Sequence, residues 1–446
     1  MNDLVIRHGT VVMPEGTIRA DVAIEGETIS NVGSDLPPAS KEIDATGCAI
    51  LPGMIDVHVH FNEPGHTEWE GAATGSRALA ANGGTLFFDM PLNSIPCTVN
   101  AREFDKKRAA LEASAVTDFA LWGGLVPGNV DEMEELAERG VIGFKAFLCH
   151  SGLDEFPRVD DLTLFEGLRE AARLDLPIAI HAENHELIAA LSQRMLTQGR
   201  RTIRDFLESR PVLAEIEAIQ RATLLAGEAG AKLHVIHISS GRGVAIAAEA
   251  RARGVDVSIE TCPHYLFFTD EDVERLGAVA KCAPPIRNAG EQENLWAELV
   301  KGTVDIIASD HSPSAPERKA GEFWSAWGGI AGVQSTLPVL LDRAHHQHRL
   351  PLERIASLIA GKPAQRFNIP NRGRIAAGAV ADLALIDPSK RFVLEREHLL
   401  QRHPMSPYIG SSFRGIVRQT IRRGETIFVN DKVTVRSGGK LVRPFK

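Results

Sequence analysis

The feature that most constrains this chain is an alternation repeated eight times between residues 54 and 310. Short apolar runs rich in Ile, Val, Leu and Phe lie at 54–60, 85–89, 118–122, 142–147, 177–181, 233–237, 256–260 and 305–310. Between them run segments with helical periodicity, as in 214–227 and 244–253, and several of these end in Gly. Strands that each hand over to a helix predict parallel pairing, because a parallel neighbour requires a crossover connection. Eight such units predict a closed (β/α)8 barrel of the TIM type. An open doubly wound sheet usually has fewer strands and a Gly-rich first turn, and no G-x-G-x-x-G opens a helix after the first strand here.

The two ends of the chain read differently. Leu4-Val5-Ile6, Val11-Val12 and Val22-Ala23-Ile24 are strand-like, with turns at Gly16 and Gly26. Residues 381–386, 417–422 and 426–429 repeat the pattern near the other end. Neither stretch buries a face alone. The expectation is a small β-sandwich domain made from 1–50 and 375–446, set beside a hydrolase barrel over 51–374.

Composition narrows the function. Lys and Arg number 49 against 58 Asp and Glu, a net charge of −9, so no basic stripe points to nucleic acid. No apolar run approaches the roughly 18 residues that span a bilayer. The opening residues lack a basic segment followed by an apolar one, so no secretory signal is expected. The five cysteines, Cys48, Cys97, Cys149, Cys262 and Cys282, are odd in number and far apart, and read as free thiols. A cytoplasmic enzyme with no membrane or nucleic-acid partner is expected.

Chemistry-bearing residues gather at the ends of the predicted strands. His58 and His60 are two apart in one strand and therefore share a face. Runs 177–181 and 233–237 end in His181 and His237, run 305–310 ends in Asp310, and Lys145 sits in the apolar run 142–147. Barrel enzymes carry reactive groups at this rim. Four imidazoles and a carboxylate exceed the needs of one tetrahedral ion and suit two divalent metals roughly 3.5–4 Å apart. Such a pair needs an anionic bridge, and no Glu or second Asp is expected to end a strand where one is required. Lys145 can supply it as a carbamate formed with CO2, N6-carboxylysine, because burial favours the neutral amine.

These residues, within Pro52-Gly53-Met54-Ile55-Asp56-Val57-His58-Val59-His60, Gly143-Phe144-Lys145-Ala146-Phe147, His181-Ala182-Glu183, His237-Ile238-Ser239 and Ser309-Asp310-His311, resemble the amidohydrolase superfamily. The match is to its cyclic-amidase branch of hydantoinases, dihydroorotases and allantoinases. The resemblance implies a binuclear centre. His58 and His60 would hold the more buried metal, His181 and His237 the more exposed one, Lys145 would bridge, and Asp310 would complete the first site.

Within the branch, Asn62 stands where dihydroorotases carry a carboxylate-clamping Arg, and His150 where hydantoinases carry an oxyanion-holding Tyr. Asn62-Glu63-Pro64-Gly65, Asp89-Met90-Pro91-Leu92-Asn93-Ser94, Glu260-Thr261-Cys262-Pro263-His264-Tyr265 and Lys281-Cys282-Ala283-Pro284-Pro285 look like allantoinases, although Ala283 replaces a common Ser. This implies hydrolysis of allantoin to allantoate by a metal-bridging hydroxide, with Asp310 as general base and then acid. Asn62, Asn93, His150, Ala283 and Gly328 are the expected substrate contacts, Gly328 and Gly329 allowing close approach of the backbone. Zinc is the expected metal, with Co, Mn or Fe alternatives, and a homotetramer the expected assembly. Hydantoinase, dihydropyrimidinase or dihydroorotase activity is the nearest alternative, and a metal-free scaffold the remotest. The long loop after Asp310 either covers the site or is plain surface. His345, His346 and His348 read as a solvated helix end.

Overall fold

The structure, a computed structural model, describes residues 2–445. Its parallel strands are Met54–Val59, Gly84–Asp89, Asp118–Leu121, Phe144–Phe147, Ile178–His181, Leu233–Val235, Val257–Thr261 and Ile306–Ile307, with Gly123–Gly124 as a short addition after the third. All eight expected strands are present. The sixth and eighth are shorter than expected: His237 and Asp310 lie beyond their last paired residues. The chain is already turning there, with φ of 37° at His237 and 44° at Asp310.

The first three strands pair in one parallel sheet and the rest in a second. The third strand runs directly into Gly123–Gly124, which pairs with Phe144–Phe147. At the other margin Val59 bridges His311, the His60 amide donates to the His311 carbonyl at 2.8 Å, and the Ser309 amide donates to Asp56 Oδ1 at 3.1 Å. The strands are buried on both faces, as parallel strands between helices must be, and the polar side chains they carry are buried with them.

Helices follow the strands and begin where the sequence provides caps. Asn100, Asp160, Asn184, Ser240 and Asn288 each accept a backbone N–H three residues ahead. Helix Val212–Ala229 stops at Gly230, whose left-handed backbone ends the turn. It packs between Asp161–Arg173 and Gly241–Ala252, and the latter against Ala289–Lys301.

Both ends of the chain join in one sheet of nine strands among the described residues. Ala49–Pro52 lies between Leu4–Met13, to which it is parallel, and Leu383–Val393, to which it is antiparallel. Ile6, Val11, Ile24, Ile50, Leu383 and Ile421 form its apolar core. No described helix is long and apolar enough to cross a membrane. The His345–His348 stretch is less solvated than its composition implies. His345 and His346 are half-buried against the carbonyls of Leu350 and Pro388, and His348 stacks on Trp296.

Candidate metal centre

Six side chains from five strand ends converge on one inner chamber of about 70 Å³. His58 Nε2 lies 3.2 Å, and His60 Nε2 3.5 Å, from Asp310 Oδ1. His181 Nδ1 lies 3.1 Å from His237 Nε2. Lys145 Nζ is buried, has no hydrogen-bond partner and sits 4.5 Å from the centre of the Phe147 ring.

Hydrogen bonding outside the chamber decides which ring nitrogens face in bare. His58 Nδ1 is 2.9 Å from Glu260 Oε1, so it carries the proton and leaves Nε2 unprotonated toward Asp310. His181 Nε2 is 2.9 Å from Glu183 Oε2, which leaves Nδ1 unprotonated toward His237. His58 and Asp310 thus set acceptor against acceptor, an arrangement that costs energy unless a cation sits between them.

The protonation states agree. Burial pushes His60, His181 and His237 below the usual imidazole range, His237 furthest, and a neutral imidazole is what a metal binds. Burial works to raise Asp310, but His58 and the hydrogen bond from His60 pull it well below the usual carboxylate range. Burial lowers Lys145 to about 7, which frees the amine lone pair near neutrality. One ligand atom from each of His58, His237 and Asp310 lies within 4.8 Å of the others. The donor set therefore fits divalent metal.

His237 and Asp310 both occupy left-handed backbone, which non-glycine residues seldom adopt. This turn beyond the strand end throws their side chains inward, where a regular strand would alternate them.

A family model described as the amidohydrolase family matches residues 49–427. Proteins called allantoinase from Solibacter usitatus and Rubrobacter xylanophilus are 61% and 56% identical to this chain. The matches cover 100% and 99% of it, and 97% and 98% of those proteins. The chain belongs to the amidohydrolase family. A solved structure, the L-hydantoinase (dihydropyrimidinase) from Arthrobacter aurescens, superposes with a TM-score of 0.97 at 33% identity, over 99% of this chain and 100% of that one. This amidohydrolase is thus a mixed α/β protein with the architecture of the hydantoinases.

The amidohydrolase chamber shares Ser151, Arg210, Cys282 and Trp327 with an outer vestibule of about 640 Å³. Of the expected substrate contacts, Asn93, His150, Ala283 and Gly328 line the chamber and Asn62 does not. Asn62 closes a turn with His66, and its Nδ2 donates to the Pro313 carbonyl at 3.3 Å. His150 stands at the mouth, mostly exposed, accepting from the Gly152 amide at 2.9 Å. A Cβ at Gly328 would meet nothing within 4 Å, so its backbone is open. At Gly329 a Cβ would strike the Ser312 carbonyl; that glycine serves the loop's own packing.

The loop after Asp310 does lie over the entrance, with Glu317, Arg318, Trp324 and Trp327 lining the vestibule. Two lysines pin it. Lys281 Nζ donates to the carbonyls of Phe323, Trp324 and Ala326, and Lys319 Nζ to those of Ala278, Trp327 and Gly329.

Several participants escape a reading of the sequence. A glutamate does stand at a strand end, Glu260, but both its oxygens are engaged by histidines, so it is no bridge. The hydrogen bonds of His58 and His234 and the charge on His58 outweigh burial and hold it at about 2. Glu183 is gripped by Arg210 through Nε and Nη2. Only the spacing of Glu183, two residues after His181, marked it in the sequence. Arg210 had no local signal.

Proposed function

We propose that the protein is an allantoinase, which opens the hydantoin ring of allantoin to allantoate at a pair of divalent metals. The observation that carries this is the chamber itself: four histidines, Asp310 and an unpartnered Lys145 share one buried space. Full-length identity to proteins named allantoinase supports the choice of substrate.

His58, His60 and Asp310 would hold one ion, His181 and His237 the other, and Lys145, as its carbamate, both. Ions held there would supply a lowered water pKa and a polarised ring carbonyl. Asp310 takes the proton as the water oxygen bonds to the carbonyl carbon, then returns it to the ring nitrogen as the C–N bond breaks. Asn93, Ala283 and the open backbone at Gly328 hold the ureido and ring groups, and His150 donates to the developing oxyanion. Asn62 acts on the loops through Pro313.

Zinc is the preferred metal by ligand type. We read the eight parallel strands as a closed barrel over 51–374. The bonds joining Val59, His60 and Asp56 to the eighth strand's end support closure. The nine-stranded sheet of 1–50 and 375–446 is read as a small sandwich over its own apolar core. Leu162, Leu213 and Leu224, exposed on neighbouring helices, offer a surface for a homotetramer. Five free thiols suit the cytoplasm.

The test is a substrate panel of allantoin, hydantoin, dihydrouracil and dihydroorotate on metal-loaded protein. Allantoin is expected to give the highest kcat/KM, and Asp310→Ala to lose about 10²–10⁴-fold in kcat. Preference for another ring, or ordinary turnover by the variant, would refute the reading.

A further inference from the structure

Glu260 occupies a position that no ligand assignment explains. It is fully buried at the end of strand Val257–Thr261 and touches neither the chamber nor the vestibule. Its Oε1 lies 2.9 Å from His58 Nδ1 and accepts the backbone N–H of His237 at 3.1 Å. Its Oε2 lies 2.9 Å from His234 Nε2. His234 is itself locked, with Nδ1 2.8 Å from Ser258 Oγ and its ring parallel to that of Trp122.

The two contacts of Oε1 lead to different metals in the reading above, on which this inference rests. The first fixes the tautomer of His58. The second pins the left-handed backbone that aims His237 inward. We propose that Glu260 is a positioning residue that couples the two metal centres, one carboxylate oxygen setting a ligand of each. A carboxylate behind a metal-bound histidine both orients the ring and raises its basicity. Here the same atom does so for one ion and holds the backbone of a ligand to the other. Glu183 provides a contrast: among the six chamber side chains it touches only His181, its other partner being Arg210, and so it serves one centre.

Glutamine at 260 would present one acceptor and one donor. If its NH2 group faced His58, that ring would have to carry its proton on Nε2, where the metal needs a lone pair. If the NH2 faced His234, the negative charge behind His58 would still be gone.

The experiment measures bound metal and its affinity, with zinc as the probe, by elemental analysis and chelator competition on folded wild type, Glu260→Gln and Glu183→Gln. Wild type is expected to bind two ions. Glu183→Gln is expected to weaken one, and Glu260→Gln both, by about 10–100-fold each. Should Glu260→Gln not fold, Glu260→Asp, too short to reach both histidines, is read by the same criterion. Wild-type affinity at either site in the position-260 variant, or loss of one ion only as in Glu183→Gln, would overturn the coupling. Fewer than two ions on wild type would overturn the metal pair itself, and this inference with it.

Discussion

Lys145 shows how one side chain turns burial into chemistry. Its amine is enclosed, has no partner, and is lowered to about 7 from 10.5 by loss of solvation. Protonating it in the metal-free protein therefore costs stability. That penalty is present in full below about pH 7 and disappears as pH rises to the unfolded value of 10.5. The neutral fraction, the form that captures CO2, rises about tenfold between pH 6 and pH 8. Reconstitution of metal-free protein with zinc at fixed dissolved CO2 should gain activity about tenfold faster at the higher pH. It should also slow when CO2 is stripped. A CO2-independent rate would count against the carbamate. The six side chains of the chamber were legible because each residue type is costly at an apolar strand end. Glu260 was not, because what reveals its role is a bond to His58, 202 residues away in sequence.

The loops that follow the strands are held by buried ion pairs. Asp89 ends the second strand and pairs with Lys107 at 2.9 Å, and both are buried. Asp89 Oδ1 accepts the Phe61 amide at 2.9 Å, and Lys107 donates to the Met90 carbonyl at 2.5 Å, so the pair ties together the loops after the first and second strands. Lys107→Met leaves Asp89 uncompensated, at an expected cost of about 3–5 kcal/mol. Because Asn93 rides on the second loop, KM for allantoin should rise more than kcat falls. Denaturant unfolding and steady-state kinetics check both parts. Helix existence was readable from periodicity and caps. The shortening of the strands before His237 and Asp310 was not, because the apolar run continues past the last pairing residue.

At the scale of the whole molecule, a buried charge cluster joins the terminal sheet to the parallel strands. Arg372 pairs with Asp118, which opens the third parallel strand, at 2.5 Å, and with Asp382 beside the sheet strand Leu383–Val393. Arg423 reaches Asp118 as well. The cluster lies at the strand ends opposite the chamber. Arg372→Met would leave two carboxylates facing each other. It is expected to lower the unfolding free energy by about 3–5 kcal/mol while kcat/KM of the folded protein stays near wild type. A large loss of kcat/KM without destabilisation would contradict that division of labour.

Sequence alone determined the alternation of strand and helix, the pairing of the two ends, the free thiols and the six side chains that share the chamber. Each of these depends on local periodicity, or on a residue type whose cost in an apolar setting is visible without coordinates. Tertiary structure decided which nitrogen of His58 faces inward, which of the expected contacts line the chamber, how two lysines pin the covering loop, and that one carboxylate oxygen meets both the His58 ring and the His237 amide. Those depend on hydrogen bonds between residues tens to hundreds of positions apart, and only folding brings such partners together.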